Sequence, residues 1–283
     1  MSRLVFDIGG TNIKYAVFED GHLVNVRETP TDAFKGGNKI IEKVACLVEK
    51  NINDKIASIG ISTAGQVDNK KGKIVFANAN IPDYTGFEIK NYFENKFSLP
   101  CYVENDVNSA GLGELYANAE IDGDFVFIAY GTGIGGAIIH NKEVIAGDNF
   151  FAGGIGQMLI FDKETMSYAE YESICSTKYL VQKAEAIHPI IKNGRMIVEH
   201  LNHPQIRELL DEWTSNIVIG LRNVTYLIDP KYLVVGGGIM ENDIIFNQIS
   251  DKYYKAKNPF LKTEIKQAKF GNQSGLLGAA QLK

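Results

Sequence analysis

Three short segments of this chain carry residue types and spacings that suit chemistry. The first is Asp7-Ile8-Gly9-Gly10-Thr11-Asn12, closely followed by Lys14. Glycine lets a phosphate approach the backbone, Thr11 and Asn12 offer donors, and Lys14 adds charge. Asp7 ends an apolar strand and is placed to hold hydrated Mg2+. A glycine turn with a capping aspartate fits the same residues. A copy favours the first reading: Gly10-Thr11 recurs as Gly131-Thr132-Gly133, offset by 131 − 10 = 121 positions. Each copy lies between apolar strands, and simple hairpins rarely need Gly-Thr twice in one register. Two such loops facing each other would hold a polyphosphate between them, as in a nucleotide-dependent enzyme built from two similar halves.

The second segment is Glu104-Asn105-Asp106-Val107-Asn108, directly after the apolar run Cys101-Tyr102-Val103. At a helix start, Asp106 is a candidate N-cap. It is equally a candidate general base that takes a hydroxyl proton, with Asn105 orienting the hydroxyls of a polyol. The third is Val234-Val235-Gly236-Gly237-Gly238, where successive glycines let a flat base or ribose lie on the backbone. Alone, that signal is weak.

The elements that must position these segments follow from periodicity. Residues 4–18 and 23–29 read as a meander of strands. Residues 39–50 form an amphipathic helix with Ile40, Val44, Leu47 and Val48 on one face. A buried strand at 56–62, a helix at 87–97, a strand at 101–104 and a small-residue helix at 108–118 complete a first domain. In the second half, 125–139 repeats the strand and turn, 163–186 reads as mostly helical, and 204–227 is a long helix carrying the only tryptophan, Trp213. Asp229-Pro230 stops that helix. A strand at 232–235 and a closely packed final helix at 274–282 end the pattern.

Length and composition agree with two domains. The chain has 283 residues, 45% hydrophobic and 22% charged, with a net charge of −5. No basic run suits a nucleic-acid footprint, and no stretch suits a membrane span, so neither partner is expected. Cys46, Cys101 and Cys175 are dispersed, which argues for reduced thiols in a cytoplasmic protein and against a cysteine zinc site.

Taken in order, Asp-Ile-Gly-Gly-Thr-Asn, Gly-Gln-Val-Asp (65–68), Glu-Asn-Asp-Val-Asn, Gly-Thr-Gly-Ile-Gly-Gly, Asp-Pro and Val-Gly-Gly-Gly make the chain resemble the ROK sugar kinases over essentially its whole length. The resemblance implies an α/β fold of two ribonuclease-H-like domains, as in actin-like ATPases, with a cleft between them. The smaller N-terminal domain would be 1–117 plus 271–283, and the larger 118–270. It also implies ATP, Mg2+ and phosphorylation of a sugar hydroxyl, usually on C6, and the family's habits suggest a homodimer. Under the resemblance Asp106 is the catalytic base and Asn105 a sugar ligand. Gly65 and Asn80 are sugar-side positions, and Glu172 lies near the sugar's anomeric end. Gly9, Gly10, Thr11, Asn12, Lys14, Gly131, Thr132 and Gly133 serve the phosphates, and Gly237 and Gly238 flank adenosine.

Two departures from the family's pattern bear on substrate. Its Ala-Gly-Glu-Ile-Gly-His segment reads Gly153-Gly154-Ile155-Gly156-Gln157 here, so Gly154 replaces a glutamate and Gln157 a histidine. The cysteine-rich zinc loop that follows is replaced by 161–168 without a cysteine, so no zinc site is expected. Losing a carboxylate and an imidazole opens space at C1 and C2, unless the loop has drifted and another residue does their work. The expected substrate is a β-glucoside such as cellobiose, ahead of N-acetylmannosamine or N-acetylglucosamine, with glucose third. Only six residues precede Asp7, too few for the helix-turn-helix of the family's repressors. A sugar sensor without catalysis and a filament-forming actin relative are the other classes, and the polar Glu-Asn-Asp cluster speaks against the latter.

Overall fold

A computed structural model describes residues 2–283. The chain opens with the strands β1 (Ser2–Ile8), β2 (Asn12–Glu19) and β3 (His22–Pro30), followed by the helix α1 (Gly37–Asn51) and the strand β4 (Ile56–Thr63). A small hairpin, β5 (Gln66–Asp68) and β6 (Lys73–Phe76), precedes α2 (Ile89–Phe97), β7 (Cys101–Asn105) and α3 (Asp106–Ala117). The sheet order is β3-β2-β1-β4-β7. β1 pairs antiparallel with β2 and parallel with β4, and β4 pairs parallel with β7.

β1 reads as a nearly continuous apolar run because both of its faces are covered. Leu4 and Phe6 pack with Ile40, Ile41, Val44 and Val48 of α1. Val5, on the opposite face, packs against the final helix.

The second half repeats the hairpin with β8 (Phe125–Tyr130) and β9 (Ile134–His140), paired from Phe125↔Ile139 to Tyr130↔Ile134. The short strand β10 (Glu143–Val144) follows. Residues 163–186 are helical from Tyr171 onward, as expected, but their first part is not. β11 (Leu159–Asp162) and β12 (Ser167–Glu170) form an antiparallel hairpin there, before α4 (Tyr171–Cys175) and α5 (Thr177–Ile187). Leu159, Phe161 and Tyr168 are exposed outer-face residues of a two-stranded ribbon, and such a face carries no helical period. Asp162 builds the turn by accepting from Glu164 N and Thr165 Oγ1.

Next come α6 (Gly194–Glu199), α7 (Pro204–Ile228), β13 (Tyr232–Gly236), α8 (Asp243–Ala256) and β14 (Glu264–Gln267). Pro204 begins α7, where its missing N–H costs nothing, and Asp229 ends it in the left-handed region at φ 50°. The order β9-β8-β13-β14 matches β2-β1-β4-β7 strand for strand. Val126, Ile128, Leu233 and Val235 of this sheet share a core with Trp213, Ile217 and Leu221 of α7. The last helix, α9 (Ser274–Gln281), belongs again to the first sheet.

The chain divides into two compact units. One holds residues up to Glu120, Lys142–Ala152 and Asn272–Lys283, and the other Ile121–Asn141 and Gly153–Gly271. The sequence boundaries placed all of 118–270 in one domain. Instead, 142–152 groups with the first unit, where the Phe151 ring lies 6.2 Å from that of Phe76. No helix among the described residues is long and apolar enough to cross a membrane.

Candidate active site

In the first unit the ends of three neighbouring strands carry the candidate chemistry: Asp7 on β1, Ser62 and Thr63 on β4, and Glu104 and Asn105 on β7. Asn105, rather than Asp106, is the N-cap of α3. Its Oδ1 accepts from Val107 N at 3.0 Å and from Asn108 N at 3.1 Å. Asp106 is thereby released from capping and becomes the first residue of the helix. Its Oδ1 accepts from Asn105 Nδ2 and Val107 N, both at 2.9 Å. No other described residue is seen to donate to Oδ2. Asn105 Nδ2 also donates to the Gly65 carbonyl at 2.9 Å, which joins three of the predicted positions. Burial, reinforced by the negative charge of Asp7, raises the Asp106 carboxyl to about 7.

Asp7 accepts from Ser62 Oγ at 2.8 Å and lies 3.9 Å from Lys14 Nζ. Burial raises its pKa, against the pull of Ser62 and Lys14. No group of three or more His, Cys, Asp or Glu able to hold a metal occurs among the described residues. A lone carboxylate fits Mg2+ nonetheless, because that ion keeps several waters and is completed by substrate phosphates. Asp7 Oδ2, with only the long Lys14 contact, is the oxygen that would face it.

Around the first Gly-Thr loop, Thr31 holds the backbone: its N–H donates to Thr11 O at 2.7 Å and its hydroxyl to Gly9 O at 2.6 Å. Lys14 Nζ reaches Asn272 O and Oδ1 at 3.3 Å. A methyl added at Gly10 would meet nothing within 4 Å, so the space above this loop is open. Asn80 is exposed on its turn, and no hydrogen bond joins its side chain to Asn105 or Asp106. Ser62, Thr31 and Asn272 were not singled out by sequence, for nothing local marks them. Tyr84 is fully buried with its hydroxyl 2.7 Å from Thr63 Oγ1, beneath the same strand ends.

The second unit gathers the other predicted loop residues. Gly131 N donates to Gly133 O at 2.9 Å, which closes the turn, and Lys178 N donates to Gly131 O at 3.3 Å. Glu172 Oε2 accepts from Ile134 N at 3.0 Å and would lie 2.7 Å from a methyl at Gly133 and 3.1 Å from one at Gly156. Glu172 therefore supports the second Gly-Thr loop and abuts the turn Ile155–Gln157. Gly154 and Gln157 are exposed on either side of that turn. Gly237, at φ 100°, packs so closely on the Tyr130 carbonyl that a methyl would overlap it. The glycine turn thus rests against the stem of the second loop, while Gly238 opens to free space.

Residues 3–283 match the model of the ROK family. The chain is 31% identical over 288 residues to a beta-glucoside kinase of Listeria innocua, covering 99% of this chain and 96% of that protein. Among solved structures, a Listeria monocytogenes protein proposed to be an N-acetylmannosamine kinase superposes with a TM-score of 0.88 at 27% identity, covering 99% of this chain and 98% of that one. A ROK family glucokinase from Streptomyces griseus, solved with glucose and AMPPNP, gives a TM-score of 0.83 at 24% identity, covering 99% and 98%. These likenesses show the fold to be the two-domain one of the actin-like ATPases.

Proposed function

The chain belongs to the ROK family as a sugar kinase, and from that premise we propose that it moves the terminal phosphoryl group of ATP to the C6 hydroxyl of a hexose unit substituted at C1, as in a β-glucoside such as cellobiose. One observation carries the catalytic part: Asp106 is pinned through Oδ1, and no other described residue is seen to donate to Oδ2. A carboxylate so held accepts the hydroxyl proton as the sugar oxygen bonds to the γ-phosphorus and the bond to ADP breaks. Its raised pKa suits a general base working near neutrality. The open backbone at Gly10 and Gly131 receives the phosphates, and Gly237 and Gly238 flank the adenosine. When bound through Asp7 and water, Mg2+ supplies charge neutralisation on the phosphates.

The substrate part rests on Gly154 and Gln157, where a carboxylate and an imidazole are missing beside the proposed C1 side, and on the 31% identity to a beta-glucoside kinase. The same opening suits a C2 acetamido group, and the 27% identical structural relative favours that second reading. Coupled ADP release with cellobiose, glucose, N-acetylglucosamine and N-acetylmannosamine decides between them. The highest kcat/KM is expected for cellobiose. Efficient turnover of glucose alone would sink the open-pocket argument. ADP release with none of these sugars would favour a sensor.

A further inference from the structure

Glu104 is the member of the Glu-Asn-Asp run to which the proposed chemistry gives no task. It is the penultimate residue of β7 and almost out of solvent, at 3% exposure. Its Oε1 accepts from Asn105 N at 2.8 Å and Asn108 Nδ2 at 3.0 Å, and its Oε2 from Asn69 Nδ2 at 2.8 Å. No cation pairs with it among the described residues. Burying a carboxylate is expensive unless its lone pairs are filled, and an apolar side chain would fill a strand end more cheaply. Its burial alone raises its pKa, against the three donors.

The origin of the three donors gives the carboxylate a purpose. Asn69 lies in the turn of the β5–β6 hairpin, which starts right after Gly65. Asn105 is the cap that holds Asp106, and Asn108 lies in the first turn of α3. Asn105 Nδ2 closes the circuit by donating to both Gly65 O and Asp106 Oδ1. A single buried group thus locks the hairpin to the strand–helix junction that presents the candidate base.

We infer that Glu104 is a positioning residue for phosphoryl acceptance: it fixes the β5–β6 hairpin against the Asn105–Asp106 junction so that a sugar hydroxyl meets Asp106 Oδ2. The inference rests on the reading of Asp106 as the base. Glu104→Leu, which keeps the bulk and removes the acceptors, is expected to raise the sugar KM by roughly 10-fold and lower kcat by roughly 10–10²-fold, since displacement near 1 Å can cost about 10²-fold. The KM for ATP stays within about twofold, because the Gly9–Asn12 loop shares none of Glu104's donors. Glu104→Gln is expected to rescue most of both losses. Its oxygen serves Asn105 N and Asn108, and its amide donates to Asn69 once that side chain turns its oxygen inward.

A Leu variant with a lowered Tm but wild-type sugar KM and kcat would overturn the inference, as would equal weakening of sugar and ATP. Should the Leu variant not fold, Asn69→Ala removes the hairpin arm alone. A raised sugar KM with an unchanged ATP KM then supports the inference, and an unchanged sugar KM overturns it. Asp106→Asn run in parallel separates the two failures: if that variant turns over normally, the base reading falls whatever Glu104 does.

Discussion

At the first Gly-Thr hairpin the strand ends are charged, and at the second they are not. Asp7 and Lys14 pair across β1 and β2. At the offset of 121, positions 128 (7 + 121) and 135 (14 + 121) hold Ile128 and Gly135. The first loop is closed by the backbone bond from Gly9 N to Asn12 O and tied to Thr31 through both that residue's N–H and its hydroxyl, and it shares its strand ends with Asp106. The second is closed by the bond from Gly131 N to Gly133 O, tied to Lys178 N, and held by the Glu172 carboxylate and the Thr177 hydroxyl. One hairpin geometry therefore carries two different sets of strand-end residues. On the proposed function, the polar strand ends of the first would give chemistry and the uncharged second a binding surface. Variants that act on one side only test this division.

The largest effect is expected from Asp106→Asn, which keeps the shape and removes the base. Turnover should fall by about 10²–10⁴-fold or more, while sugar affinity by calorimetry changes little. Near-normal turnover would leave the first hairpin with no catalytic claim over the second.

Gly237→Ala comes next and acts on the binding side. With φ at 100° and the Tyr130 carbonyl in contact, the methyl forces a local shift costing about 1–3 kcal/mol. Thermal unfolding should report that loss. The KM for ATP should rise while the KM for sugar holds, and an equal change in both would erase the proposed division.

A smaller effect concerns pH. The folded Asp106 carboxyl, at about 7, binds its proton more tightly than the ordinary value of 3.8. Between those two values the folded state holds more protons than the unfolded one, so stability falls as pH rises through the window. Melting temperatures of the ligand-free protein should show this slope, and Asp106→Asn should flatten it. Turnover should show an acid limb, falling below about pH 7 as the base becomes protonated. A slope unchanged in the variant would move its origin to another group.

The smallest effect is expected from Lys14→Met. At 3.9 Å the pair is long, and Asp7 keeps its Ser62 donor without it. The variant should melt almost as the wild type and show only a modest rise in the KM for ATP. A large stability loss would mean that Lys14 holds the fold through Asn272 rather than serving phosphate.

Both hairpins were legible in the sequence because glycine, apolar alternation and turn residues act locally. The cap of α3 was not settled, since Asn and Asp are both good N-caps and stand side by side at 105 and 106. Oδ1 of Asn105 took the role, which left Asp106 free. The second strand of the hairpin at 159–170, Ser167–Glu170, escapes a periodicity reading because it has no buried residue and so no apolar alternation. Ser62 on Asp7, Tyr84 on Thr63 and Asn69 on Glu104 join distant positions, and no local pattern announces such pairs. The final helix was read as closely packed from its small residues, and its contacts explain why. A methyl at Gly275 would sit 2.8 Å from the Asp7 carboxyl carbon, and one at Gly278 would overlap the Ser109 carbonyl of α3.

That last seam bears on the order in which the protein is assembled during synthesis. Val5 and Ala16 have their apolar partners in Leu276 and Ala279, and Arg3 Nη1 donates to Ala280 O at 2.9 Å and Leu282 O at 2.6 Å. The strand that carries Asp7 is made first, and the helix that closes over it is made after every other described element. A nascent chain still short of residue 274 leaves one face of its first sheet wet and Asp7 without Gly275 against it. Such a chain would hold the hairpin of the second unit before the sheet of the first is covered on both faces.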